Sequence, residues 1–200
     1  MKKSILSLLI LSCVLVSANA YAIESIDILT GYFHGYMDNT EKDYNAVPLL
    51  VGINYDLKPW IAKIGLNTQG SFNFVLEPFI NTVIEPDSNV EVGSNFLLKY
   101  GFPLTAKLQP YVKGGLGILY MSQHTKEQST QYNFLPQGGA GLQYRITNNI
   151  ALNMEYRYRH LSNAAIKHPN SGIDVSMYLC GVTIFFNDNK SKNDTESENK

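Results

Sequence analysis

Asn149-Ile150-Ala151-Leu152-Asn153-Met154-Glu155-Tyr156-Arg157-Tyr158-Arg159-His160-Leu161-Ser162-Asn163 divides by parity. Even positions carry Ile150, Leu152, Met154, Tyr156 and Tyr158, while odd positions carry Asn153, Glu155, Arg157 and Arg159. Successive side chains point to opposite sides of an extended strand, so this pattern gives one apolar face and one charged face. The division recurs upstream. Val90, Val92, Phe96 and Leu98 oppose Glu91, Gly93, Asn95 and Lys99; Val112, Leu116 and Ile118 oppose Lys113, Gly115 and Gly117; Ala140, Leu142 and Tyr144 oppose Gly139, Gly141 and Gln143. Eight strands are expected, at 24–36, 46–57, 70–84, 89–101, 108–122, 132–146, 149–163 and 174–186. Beyond the N-terminal segment there is no run long and apolar enough for a membrane-spanning helix. Eight is the smallest common strand number for an outer-membrane barrel.

Alternation alone does not say which face is inside, because a soluble barrel or sandwich shows the same stripe with the apolar side inward. Glycine decides it. Gly31, Gly35, Gly93, Gly101, Gly115, Gly117, Gly139 and Gly141 all fall on the polar face, and a narrow eight-stranded barrel has little interior room for side chains. The expected fold is therefore an all-β, eight-stranded antiparallel transmembrane β-barrel with its polar face inward. Its lumen would hold Glu77, Glu91 and Glu155 with Lys99, Lys113, Arg145, Arg157 and Arg159, a salt-bridged plug rather than a pore. With both termini in the periplasm, the short turn at 146–149 lies on that side. The links between strands 1 and 2, 5 and 6, and 7 and 8 read as long polar outer loops. Strand seven then runs outward and ends at the outer rim.

The ends and the composition agree with export. Met1-Lys2-Lys3, an apolar stretch from Ile5 to Val16, and small residues at Ala18-Asn19-Ala20 make a signal peptide over residues 1–20, with cleavage after 20 or 22. Removing it takes Cys13 and leaves Cys180 alone; a lipoprotein signal at Cys13 fits poorly. The barrel occupies 23–186, and 187–200, without an apolar residue, reads as a disordered polar tail. Lys+Arg number 16 against Asp+Glu 17, so no basic excess points to nucleic acid. Tyr (13) and Phe (9) read as an interfacial girdle. His34 and His124 show no metal-ligand spacing, and no metal or cofactor is expected.

The chemistry gathers after strand seven. His160 and Ser162 are two residues apart, hence on one face, and Asp174 opens the next antiparallel strand at the same rim. An imidazole that takes a hydroxyl proton, with a carboxylate to orient the ring, is the arrangement a nucleophilic serine needs. Taken alone the pair also fits a polar rim. The longer string, His-x-Ser-Asn at 160–163 followed by Pro169-Asn170-x-Gly172-Ile173-Asp174, resembles the active-site segment of the PagL family, the lipid A 3-O-deacylases of the outer membrane. Tyr156-Arg157-Tyr158-Arg159 is similar too, so the likeness covers about residues 155–174.

The resemblance implies a lipid A deacylase in the outer membrane of a Gram-negative bacterium. It would cut an ester-linked acyl chain, at the 3-position, from lipopolysaccharide in the outer leaflet. By position, Ser162 is nucleophile and His160 general base, while Asn163 and Asn170 match asparagines that support the oxyanion or the loop. The acid departs from the family: Asp174 stands where the family has Glu, one methylene longer. Lipopolysaccharide and outer-membrane lipids are the implied partners, and a homodimer stays open. The alternative is a non-enzymatic small barrel serving adhesion or envelope structure, resting on the polar loop from Ser122 to Gln131.

Overall fold

A computed structural model describes residues 23–123, 125 and 127–186. The signal peptide with Cys13, the C-terminal tail and His124 lie outside the described residues. The elements are β1 (Ile23–Met37), β2 (Lys42–Asp56), a short helix α1 (Lys58–Ala62), β3 (Ser71–Glu85), β4 (Asn89–Gly101), β5 (Leu108–Met121), β6 (Tyr132–Phe134), β7 (Gln137–Arg145), β8 (Ile150–Leu161) and β9 (Ile173–Phe185). Every neighbouring pair is antiparallel. β1 pairs with both β2 and β9, β4 with β5, and β5 with β6 and β7, so the sheet closes on itself. β6 and β7 form a single stave, interrupted at Leu135-Pro136, where proline has no N–H for the ladder. The result is the expected eight-staved antiparallel barrel, with no free sheet edge.

Burial follows parity. Along β8 the even side chains are exposed from Ile150 to Tyr158, while Asn153, Glu155, Arg157 and Arg159 are buried. The exterior is a belt of Leu, Ile, Val, Tyr and Phe side chains, the surface a bilayer solvates. Inside, Glu77 accepts from Arg157 at 2.6 and 3.1 Å and faces Lys113 at 3.5 Å. Glu155 faces Lys113 at 3.0 Å and accepts from the Tyr111 hydroxyl at 2.8 Å. Glu91 accepts from Arg159 at 3.0 and 3.2 Å, and Lys99 faces Asp27 at 3.4 Å. Asp27, Glu77, Glu91 and Glu155 thus balance Lys99, Lys113, Arg157 and Arg159, four against four, all buried. The glycines fit this crowding. A Cβ on Gly93 would stand 2.6 Å from the Phe79 ring, and one on Gly141 2.5 Å from the Tyr111 hydroxyl.

Four expectations need correction. Arg145 lies outside the ion network, donating to the Asn148 carbonyl at 2.7 Å over the Phe185 ring. The lumen is not polar throughout: Leu29, Phe33, Met37, Leu161, Ile173, Val175 and Met177 belong to one buried apolar cluster toward the outer end. On β9 the inward residues Ile173, Val175, Met177 and Leu179 are apolar, while Asp174 and Ser176 head an outward stripe that continues as Tyr178, Val182 and Ile184. β2 begins at Lys42, which shortens the link from strand 1 to residues 38–41. On the periplasmic side, the link at 57–70 is long and carries α1, so loop length assigns sidedness less well than strand parity does.

Candidate active site

His160 occupies the last turn of pleat on β8, directly opposite Asp174 at the start of β9. The cross-strand register brings the two side chains together outside the barrel, with His160 Nδ1 2.7 Å from Asp174 Oδ1 and the side chains 39% and 57% exposed. An ionised carboxylate has no proton to give, so Nδ1–H donates, and Nε2 keeps its lone pair when the ring is neutral. The shorter reach of Asp is offset by this direct opposition. Ser162 follows on the same outward parity. Its backbone bridges to Phe134, with N–H donated to the Phe134 carbonyl at 3.1 Å and its own carbonyl accepting from Phe134 at 2.7 Å. Among the described residues, the Ser162 hydroxyl makes no hydrogen bond to His160. His160 and Asp174 are joined; Ser162 is placed beside them and not bonded.

Asn163 has the opposite parity and is fully buried. Its N–H donates to Asn170 Oδ1 at 2.8 Å, and its side-chain amide donates to the Lys167 carbonyl at 2.8 Å and to Ser129 Oγ at 3.2 Å. The Asn163 amide and Asn170 Oδ1 therefore hold the 162–172 loop and tie it to Ser129, while Asn163 Oδ1 is buried without a partner among the described residues. That loop is stitched to the neighbouring one: Ser171 N–H donates to the Glu127 carbonyl at 3.0 Å, and Gln128 bridges Asn170. The polar stretch from Ser122 to Gln131 is thus, where described, a support for the site loop. His168 and Lys167 are exposed on it.

Three residues escaped the sequence reading. Gly172 has φ +81°, and a Cβ there would overlap His160 Cε1 and stand 3.0 Å from Nε2. The missing side chain is what lets the loop backbone press against the imidazole. Its sequence signal was the glycine within the string, read there only as part of a motif. Ala164 and Ala165 have φ of 54° and 59°, a left-handed conformation that costs an alanine roughly 1–2 kcal/mol. Such strain two and three residues after Ser162 is of the kind found in functional turns, and no composition signal marks it.

A closed cylinder with a neutralised ionic interior, an apolar exterior and polar groups at one outer rim is an integral β-barrel of the outer membrane of a Gram-negative bacterium. The family model described as lipid A 3-O-deacylase (PagL) matches residues 49–183, more than half of the chain, and the chain belongs to the PagL family. The crystal structure of the outer membrane enzyme PagL is similar with TM-score 0.54 at 18% identity, over 81% of this chain and 99% of that one. Neisserial surface protein A is similar with TM-score 0.57 at 14% identity, over 81% of this chain and 96% of that one. At such identities the shared property is the fold. No curated protein sequence matches the chain.

Proposed function

We propose that the protein hydrolyses the ester-linked acyl chain at the 3-position of lipid A in the outer leaflet, with Ser162 as nucleophile, His160 as general base and Asp174 as the orienting acid. The observation that carries this reading is the His160–Asp174 hydrogen bond on the outward wall at the outer rim, beside Ser162 in a family of lipid A deacylases. Polar groups on a lipid-facing surface are costly, and a lipid that arrives sideways gives them a purpose.

The chemistry follows from the placement. His160 Nε2 takes the proton of the Ser162 hydroxyl as Oγ attacks the ester carbonyl. The tetrahedral oxyanion collapses, the sugar oxygen leaves, and the imidazolium returns the proton to it. Water, activated by the same Nε2, then attacks the acyl-serine and releases the fatty acid. Asp174 holds the ring with Nε2 outward and stabilises the imidazolium in both halves. Asn163 and Asn170 act by holding the loop that carries Ser162. The test is Ser162→Ala, expected to give a folded, membrane-inserted barrel that releases no fatty acid from lipopolysaccharide, read by mass spectrometry of lipid A. Normal deacylation by that variant removes Ser162 from the mechanism.

A further inference from the structure

The outer wall is chemically lopsided around His160 and Asp174. Toward β6 and β5, at the neighbouring staves, it presents Phe134, Ile118 and Leu116, all exposed and apolar. Toward β1, β2 and β3, among exposed Tyr36, Val47 and Ile84, it adds a hydrogen-bonded polar row whose middle member, Asn45, is buried. His34 Nδ1 is 2.7 Å from Asn45 Oδ1, and the Asn45 amide donates to Glu85. They are cross-strand partners, His34 with Asn45 and, across a register shift at Asn45/Ala46 that skips Ile84, Asn45 with Glu85. Since Asn45 Oδ1 only accepts, His34 donates through Nδ1, and its Nε2 is an acceptor when the ring is neutral. The row spans two strand spacings, roughly 10 Å. It is contiguous with the site: His34 pairs with Ser176, which is two residues along β9 from Asp174 on the same face.

We propose that His34, Asn45 and Glu85 form a binding site for the hydroxyl-bearing sugar headgroup of the lipid substrate, so that the head lies over β1–β3 and the acyl chains lie over β5–β7. This rests on the hydrolase reading above and gives the substrate a direction on the wall. The row presents acceptors, the Glu85 carboxylate and the His34 Nε2 lone pair, which suit hydroxyl donors. A phosphate would meet the carboxylates of Glu85 and Asp174 and is disfavoured there by like charge. The ordering is already in place, because each side chain is held by its cross-strand neighbour before any ligand arrives, and preorganisation lowers the cost of binding.

The test uses the full chain in detergent micelles, carrying His34→Ala or Asn45→Ala, with folding checked by heat-dependent gel mobility. Two esters are compared: lipid A and p-nitrophenyl butyrate, which has no sugar. The expected result is a loss in kcat/KM of about tenfold on lipid A, carried by KM, with the sugar-free ester unchanged. Equal losses on both esters, or none on lipid A, overturn the proposal. If the unmutated protein cleaves neither ester, the hydrolase reading fails and the binding arm decides. Native mass spectra of the Ser162→Ala protein should then retain lipid A in preference to phosphatidylethanolamine, and adding His34→Ala should abolish the preference. Retention of lipid A undiminished by His34→Ala, or equal retention of both lipids, overturns the row as a sugar site.

Discussion

Gly172→Ala separates backbone strain from displacement of the imidazole, because the molecule carries its own control. Gly172 and Gly65 have nearly the same φ, +81° and +80°, but a Cβ on Gly65 meets nothing within 4 Å, whereas one on Gly172 overlaps the His160 ring. Alanine at either position costs roughly 1–2 kcal/mol for the left-handed conformation. At 172 the methyl group also pushes the ring away from Asp174 and breaks the 2.7 Å bond. A hydrogen bond to a charged group contributes about 1.5–3 kcal/mol, and losing that orientation in the transition state lowers kcat by about ten- to a hundredfold. Urea unfolding in detergent should show the strain loss in both variants, and a further loss in Gly172→Ala from the bond it also breaks. Fatty-acid release from lipid A should fall only for Gly172→Ala. The reasoning is refuted if Gly172→Ala stays within about threefold of the wild-type kcat, or if Gly65→Ala is slowed as much.

At the acid, Asp174→Asn should reduce kcat by several orders of magnitude while Asp174→Glu retains most activity, measured as lipid A mass change against time; equal rates in all three forms exclude the carboxylate. In the lumen, Glu77→Ala leaves Arg157 and Lys113 short of a partner, and breaking a buried ion pair from one side costs about 3–5 kcal/mol; the urea midpoint should drop accordingly, with the hydrolysis rate of the folded fraction preserved. In the turn after Ser162, Ala165→Gly relieves an alanine held at φ 59° and should raise unfolding stability by about 1 kcal/mol, visible as a higher midpoint.

The barrel was legible where each face keeps one chemistry. On β8 the lumen side carries Asn153, Glu155, Arg157 and Arg159, so parity separated the two faces and the glycines told which was inside. On β9 the inward residues are Ile173, Val175, Met177 and Leu179, which pack as a soluble core does, and a rule of polar inside misreads them. The start of β2 was hidden for a related reason. Asp43 and Asn45 look like loop residues, yet they extend a strand at the height where the wall turns polar. Among the candidate site residues, the opposition of His160 and Asp174 could be anticipated, because a single outer loop turns one strand back onto the next. The role of Gly172 depends on a positive φ that no spacing announces. The partnership of His34, Asn45 and Glu85 depends on register among residues 11 and 40 apart in the chain.

His160 and Asp174 lie on the outward face of the wall rather than in the lumen. In the proposed reaction the lipid reaches them in the plane of the leaflet, so the encounter rate would follow the mole fraction of lipid around the barrel and not its bulk molarity. Turnover in mixed micelles should consequently decline as inert detergent is added at constant total lipid, the signature of surface dilution, and the freed fatty acid begins its departure already dissolved among its neighbours.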